Sequence, residues 1–260
     1  MSFVINSPEI DKRHESGSFD IIGDVHGCYD ELIALLKKLG YTIDLSTNKI
    51  SHLDNRRLIF VGDLVDRGPK SPDVLKLVMQ AVSDGTAFCV CGNHDDKLKR
   101  KLKGNDVQPT HGLLESMQQM GKESDDFKSD VIAFIDSLAP YYLFDHGKLV
   151  VVHAGIREDF FGKLSPKVRA YCLYGPTTGE LDSSGLPIRY PWANDYQGTP
   201  LVVYGHSVVD EPLWVNNTIN IDTGCVFGGK LTALRYPELQ IISIQAKQAY
   251  YGVTPASDQS

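Results

Sequence analysis

An α/β layer structure is the fold class that this 260-residue chain predicts, on three observations. Short β-type runs alternate with amphipathic helical runs through the first 104 residues, giving three strand–loop–helix units in succession. From about residue 140 the pattern turns to β runs. Polar clusters of Asp, Asn, His and Gly stand at the C-terminal ends of five β runs, the place where sheets of this class bind ligands.

The elements follow in order. "FDIIGDVHG" (19–27) is a strand ending in a turn, and "YDELIALLKKLGY" puts Leu32, Leu35, Leu36 and Leu39 at helical spacing with Gly40 as C-cap. "RRLIFVGDLVDRGP" is a second strand and loop. "SPDVLKLVMQAVSDG" reads as a helix with Ser71 as N-cap, Pro72 at its first position and Gly85 as its stop. "TAFCVCGNHDDKLKRKL" is strand, turn and a helix leaving from Asp95 or Asp96. The stretch 111–138 is helical and could be a cap or flank. "YYLFDHGKLVVVHAG" is a hairpin turning at His146-Gly147, followed by strands in "LVVYGHS", "LWVNNTINIDTG", "LTALRY" and "LQIISIQA". Residues 174–200 form a Gly- and Pro-rich loop of the length that is usually functional.

Composition narrows the class. Apolar residues make up 42% and charged residues 23%, values of a globular chain. No apolar run approaches the roughly 18 residues needed to span a bilayer. The N-terminus lacks a signal-peptide pattern, so a cytoplasmic protein with no membrane association and no obligate protein partner is expected. One domain over 19–250 is anticipated, between a flexible lead (1–18) and a flexible tail (251–260). The net charge of −7 gives no long-range attraction to a polyanion, although a local cationic site can still take a nucleic-acid end. Five scattered cysteines argue against a disulfide framework, and Cys89 and Cys91 read as core residues on one strand face, with metal binding the alternative. The basic run "KLKRKLKG" (97–104) reads as a solvated helix face.

The chemistry lies in the five clusters, "GDVHG", "GDLVDRG", "GNHD", "VVHAG" and "VVYGH". Any one alone reads as a capped turn. Five at successive strand ends would bring Asp24, His26, Asp63, Asn93, His153 and His206 together. Oxygen and imidazole donors without thiolate suit manganese, iron, zinc, nickel or cobalt. With two carboxylates, a dinuclear site would need one of them to bridge. Arg67 beside such a centre has the planar fork that matches phosphate oxygens, although a lone Arg otherwise reads as a surface ion pair. His94 could protonate a leaving oxygen with Asp66 orienting its ring.

With these motifs in order over roughly 19–245, the chain resembles the calcineurin-type metallophosphoesterases. The resemblance implies a four-layer fold, a two-sheet β-sandwich flanked by helices, with two divalent transition-metal ions, manganese first among them, at the strand ends. Asp24, His26 and Asp63 would hold one ion and Asp63, Asn93, His153 and His206 the other, with Asp63 bridging. It further implies His94 and Asp66 as the acid pair, Arg67 as phosphate clamp, and a metal-held water or hydroxide as the nucleophile. Asp95 stands where the family's protein phosphatases usually carry Glu. Two bacterial branches are closer. Symmetrical diadenosine tetraphosphatases share "GDVHGCYDEL" and "DTGCVFGGKLTALR". The phosphatase domain of bacterial polynucleotide kinase-phosphatase shares "GNHDDKLKRKLKG", "THGL", "YGPTTGELDSSGLPIRYPWANDY" and "VNNTINIDTGCVFGGKLTALRYPE", with Asp222 implied as support for a metal-ligand His. No GxxxxGKS/T motif occurs here, so the repair role of that enzyme is not carried over.

The expectation is therefore a metal-dependent phosphatase or phosphodiesterase acting on a small phosphoester or nucleotide. Its main reading is phosphomonoesters, with 2′,3′-cyclic nucleotides or polynucleotide-end phosphates as an extension of it. The alternatives are a symmetrical bis(5′-nucleosyl)-tetraphosphatase, a protein Ser/Thr or Tyr phosphatase, and a non-catalytic metal-binding scaffold. In the 174–200 loop, Arg189, Tyr190 and Trp192, with Tyr196, supply stacking and cationic groups suited to a nucleotide; a packed Ω-loop is the alternative.

Overall fold

The chain's apolar runs assemble into two facing sheets. The computed structural model describes residues 9–181 and 187–252. In chain order the elements are β1 (Asp11–Lys12), β2 (Phe19–Ile22), α1 (Tyr29–Leu39), β3 (Tyr41–Asp44), β4 (Lys49–His52), β5 (Arg57–Phe60), α2 (Ser71–Ser83), β6 (Ala87–Cys89), α3 (Asn93–Leu102), α4 (Leu113–Met120) and α5 (Asp125–Ser137). Then come β7 (Tyr141–Phe144), β8 (Leu149–Val152), α6 (Pro166–Tyr174), β9 (Thr177–Leu181), β10 (Pro187–Arg189), β11 (Leu201–Tyr204), β12 (Leu213–Val215), β13 (Thr218–Asn220), β14 (Lys230–Tyr236) and β15 (Gln240–Gln245).

One sheet has the order β15-β14-β2-β5-β6 and the other β1-β7-β8-β11-β13-β12. The strands β2, β8 and β11 are buried at every position and β5 at all but Arg57, so these strands are covered on both faces rather than on one. The sheets meet through aromatic rings. Phe144 of one lies 5.2 Å from Phe19 and 5.0 Å from Phe88 of the other, centroid to centroid. α1 packs on β14 and β15, and α2 on β6. On the six-stranded side, the segment around α6 is tied in by Tyr141 Oη donating to the Phe160 carbonyl and by Trp192 stacked on Tyr204. This is the helix-flanked sandwich expected from the motifs.

Topology decides where the motifs go. β2, β5 and β6 run parallel, and so do β8, β11 and β13. Parallel neighbours end on the same edge, so the loops after β2, β5, β6, β8 and β11 open together.

Several local expectations change. The N-cap of α2 is Lys70, and Ser71 is the first helical residue, its buried hydroxyl 3.2 Å from that of Ser116. α3 begins at Asn93 rather than Asp95 or Asp96. "LWVNNTIN" is two strands, β12 and β13, joined by a tight turn with Asn216 at φ 51°. The lead is partly structured, since β1 pairs in parallel with β7; residues 1–8 lie outside the described residues. In the expected flexible tail, Tyr251 packs against Phe227, and residues 253–260 lie outside the described ones. The long loop contains the β9–β10 hairpin, with 182–186 outside the described residues.

The basic run is not simply solvated. Lys99 is buried between Asp96 and Asp136, Lys103 also reaches Asp136, and Lys97 donates to Thr110. All five cysteines are free and buried, and no metal-holding group among the described residues includes one. None of the described helices is long and apolar enough to cross a membrane.

Candidate metal centre

The five strand-end loops converge on one buried polar cluster. Its architecture starts with backbone contacts. The Asp63 carbonyl accepts from the N–H groups of Val25 and His26, tying the loop after β5 to the loop after β2. Asp95, in the first turn of α3, is fully buried. Its carboxylate accepts from Leu64 N–H at 2.9 Å and Gly92 N–H at 3.0 Å, strapping the third loop to the second. Burial pushes its pKa up to about 7 against those hydrogen bonds. Asp95→Ala is expected to leave two buried N–H groups unpaired and to lower unfolding stability by about 2–4 kcal/mol. A urea titration measures this, and a change below about 0.5 kcal/mol, the range of ordinary surface substitutions, would remove the strap.

Side-chain tautomers follow from the partners. His26 Nδ1 lies 2.7 Å from the Val65 carbonyl and His153 Nδ1 3.0 Å from the Val61 carbonyl. A carbonyl only accepts, so both Nδ1 atoms carry the proton and both Nε2 lone pairs face the cluster. His153 Nε2 is 2.9 Å from Asn93 Oδ1, 3.1 Å from His206 Nδ1 and 3.4 Å from Asp63 Oδ1. His26 Nε2 is 3.5 Å from Asp63 Oδ2. Two sets of donor atoms thus each lie within 4.8 Å of one another, His26–Asp63–His94 and Asp63–His153–His206, with Asp63 in both.

These residues fit divalent cations. Lone pairs of Asn93, Asp63 and His153 point at one another with few protons to share, and His206 Nε2 is buried with no partner. Burial and neighbouring carboxylates hold the pKa values of Asp24 and Asp63 well above the ordinary range, while burial and nearby cationic groups hold those of His26, His94 and His206 well below it. A positive ion among them would bring the two carboxylates back to their charged form, while the low histidine values keep the rings neutral, the form that offers a lone pair. Backbone space is also reserved. A Cβ on Gly205 would sit 1.9 Å from Asp24 Oδ1, and one on Gly92 2.2 Å from Asp63 Oδ1, so only glycine lets the loops close on these carboxylates.

The remaining expected residues take distinct places. Asp24 accepts from His206 N–H at 3.1 Å. His94 Nδ1 is 2.7 Å from Asp66 Oδ2, which leaves its Nε2 toward the cluster; the rings of His94 and His26 stand perpendicular at 4.8 Å. Asp66 is pushed up to about 7, chiefly by burial, with Ser116 pulling the other way. Arg67 Nη1 donates to His26 Nε2 at 2.7 Å, so Arg67 is a site residue and no surface ion pair. Asp222 lies near Asp24: its carboxylate accepts from Gly224 N–H, and after burial its charge is the next cause that pushes the pKa of Asp24 up. No hydrogen bond from it to a site histidine is present among the described residues. Trp192 packs into the core and also lines a cavity that it shares with Arg189, Tyr190 and His206. It is buried, its Nε1 donates to the Ala154 carbonyl, and its ring fills the space beside Gly155. Tyr196 is buried too, whereas Tyr190 is exposed and Arg189 bonds the Tyr174 carbonyl.

Sequence reasoning missed two groups. Phe227 and Tyr251, in contact with each other, lie beside the Arg67 guanidinium at 5.2 and 5.9 Å, from parts of the chain far from "DRG". The backbone is also strained here: His26, Asp63, Asp66, Arg67 and His206 all have positive φ, between 44° and 73°. Non-glycine residues enter that region at a penalty of about 1–3 kcal/mol each, and they cluster at functional sites. Periodicity carries no signal for this.

Comparison with known proteins agrees with the geometry. The family model described as calcineurin-like phosphoesterase matches residues 17–242. The asymmetrical bis(5′-nucleosyl)-tetraphosphatase PrpE of Halalkalibacterium halodurans is 49% identical over 234 residues, covering 88% of this chain and 94% of the relative. PrpE of Bacillus subtilis (strain 168) is 48% identical over 237 residues, covering 90% and 96%. Among solved structures, one assigned provisionally as a diadenosine tetraphosphatase superposes with TM-score 0.65 at 24% identity over 93% of this chain and 99% of that one. A protein serine/threonine phosphatase from Saccharomyces cerevisiae gives 0.62 at 15% identity over 92% and 84%. These two likenesses concern the fold.

Proposed function

This chain belongs to the calcineurin-like phosphoesterase family as a metal-dependent phosphoester hydrolase, and from that premise we propose that it cleaves bis(5′-nucleosyl) tetraphosphates asymmetrically. The observation that supports this substrate most is the near-full-length identity of almost half to relatives named for that reaction. It favours the tetraphosphatase alternative over the broader phosphomonoester reading, and the relatives' names favour asymmetrical over symmetrical cleavage.

In this reading Asp24, His26 and Asp63 hold one divalent ion, manganese being preferred, and Asp63, Asn93, His153 and His206 hold a second. When bound, such ions lower the pKa of water and neutralise charge on the transferring phosphoryl group. The protein's own groups do the rest. Val65 and Val61 carbonyls fix the tautomers of His26 and His153, so both present lone pairs. Arg67, steadied by Phe227 and Tyr251, swings from His26 Nε2 to the phosphate oxygens. His94 holds a proton at Nε2 for the leaving oxygen, with Asp66 fixing the ring through Nδ1. Water adds its oxygen to the scissile phosphorus, one bridging P–O bond breaks, and the products are a nucleoside triphosphate and a nucleoside monophosphate.

The test is a product analysis on the purified chain with manganese. Diadenosine tetraphosphate should yield ATP and AMP in equal amounts, with kcat/KM above that for p-nitrophenyl phosphate, a phosphoserine peptide or a 3′-phosphate oligonucleotide. Two ADP would restore symmetrical cleavage; a higher kcat/KM on the oligonucleotide would restore the end-processing reading.

A further inference from the structure

We infer that a cavity beside His206, between the segments 174–176 and 189–194 and β12, seats the nucleoside nearest the scissile phosphate. The inference rests on the tetraphosphate reading above. The cavity has a volume of about 250 Å³ and is lined by Tyr174, Arg189, Tyr204, His206, Leu213 and Val215 among others. That is at the small end of ligand pockets, suited to one ring system rather than a whole dinucleotide.

Its position ties it to the centre. His206 is both a wall of the cavity and a neighbour of His153, at 3.1 Å. A nucleoside seated there would place its own phosphate beside His206, next to the metal donors. Cleavage next to that phosphate releases a monophosphate, which is the asymmetrical outcome. The lining supports an aromatic occupant. Tyr174 and Leu213 are 41% and 47% exposed, yet they come from segments far apart in sequence and converge on one mouth. Arg189 stands in the same lining as His206, a cation beside the phosphate path.

A larger cavity of about 660 Å³ lies on the other side of the loop. It includes Glu158, Asp159 and Asp195 and none of the proposed metal donors, so its charge repels a polyphosphate.

Inhibition of p-nitrophenyl phosphate turnover by AMP and by inorganic phosphate tests the assignment in the manganese-loaded full chain. AMP should compete about tenfold more tightly than phosphate, the size of one base-stacking contact. In Tyr174→Ala/Leu213→Ala the two inhibition constants should become equal, and ligand-observed NMR should lose the adenine contact seen with the parent chain. Equal constants in the parent chain, or a preference that survives both substitutions, would overturn the inference. So would a variant that keeps the preference but changes its sedimentation coefficient, since that assigns the face to a second copy. If the AMP preference behaves as expected while diadenosine tetraphosphate is not hydrolysed, the cavity stands and the substrate reading falls.

Discussion

Asp63→Asn is expected to empty the centre and abolish turnover, without unfolding the chain. Asp63 belongs to both donor sets, and its two oxygens face His153 at 3.4 Å and His26 at 3.5 Å. No other described carboxylate does this. Its backbone carbonyl, which ties two loops together, is untouched by the substitution. The sign of the stability change separates this role from a structural one. Burial raises the folded-state pKa of Asp63, so without a cation the carboxylate opposes folding at every pH above its unfolded pKa, most fully above its folded one. Metal-free Asp63→Asn should therefore be at least as stable as the metal-free parent. Only the parent should gain a higher Tm on adding manganese, by the linkage between binding and folding. Elemental analysis and thermal melts with and without metal read both effects. A variant that kept a full metal complement would remove Asp63 from the bridging position.

His94→Ala should keep metal and lose rate in a way that depends on the leaving group. The ring's Nδ1 is committed to Asp66 at 2.7 Å, which aims its Nε2 into the site. A group so placed is suited to giving up a proton, and such acids contribute about 10²–10⁴-fold to rate. The need for that proton falls with the acidity of the leaving group. A departing nucleotide phosphate, whose second pKa is about 6, needs it less than an alcohol does. The variant should therefore lose most on alkyl phosphomonoesters and least on dinucleoside tetraphosphates. A uniform loss on both, or loss of metal, would place His94 among the ligands, as its closeness to His26 and Asp63 allows. Asp66→Asn should show the same substrate pattern with a smaller loss, because the ring remains hydrogen-bonded.

Much of this protein was legible before any coordinates. Alternation of β and helical runs, Gly40 at φ 99° as a helix stop, and the 145–147 hairpin are local, and local sterics and hydrogen bonds write them directly into sequence. The five polar clusters were readable as one site because each ends a β run, and parallel strands must bring such ends to one edge. The resemblance of the motifs then gave the family and the metal donors their expected roles.

Tertiary structure alone decided what depends on pairs far apart in the chain. It placed Phe227 and Tyr251 beside Arg67, brought Asp222 near Asp24, and packed Trp192 against Gly155 at the wall of the cavity beside His206. It also opened the cavity between Tyr174 and Leu213, residues 39 positions apart. The physical reason is that periodicity and turn chemistry act over a few residues, whereas burial and side-chain partnership are set by which surfaces the folded sheets bring together. Asp95 shows both sides. Its identity marked a branch of the family from sequence, but only its bonds to Leu64 and Gly92 showed that it straps two loops of the centre together.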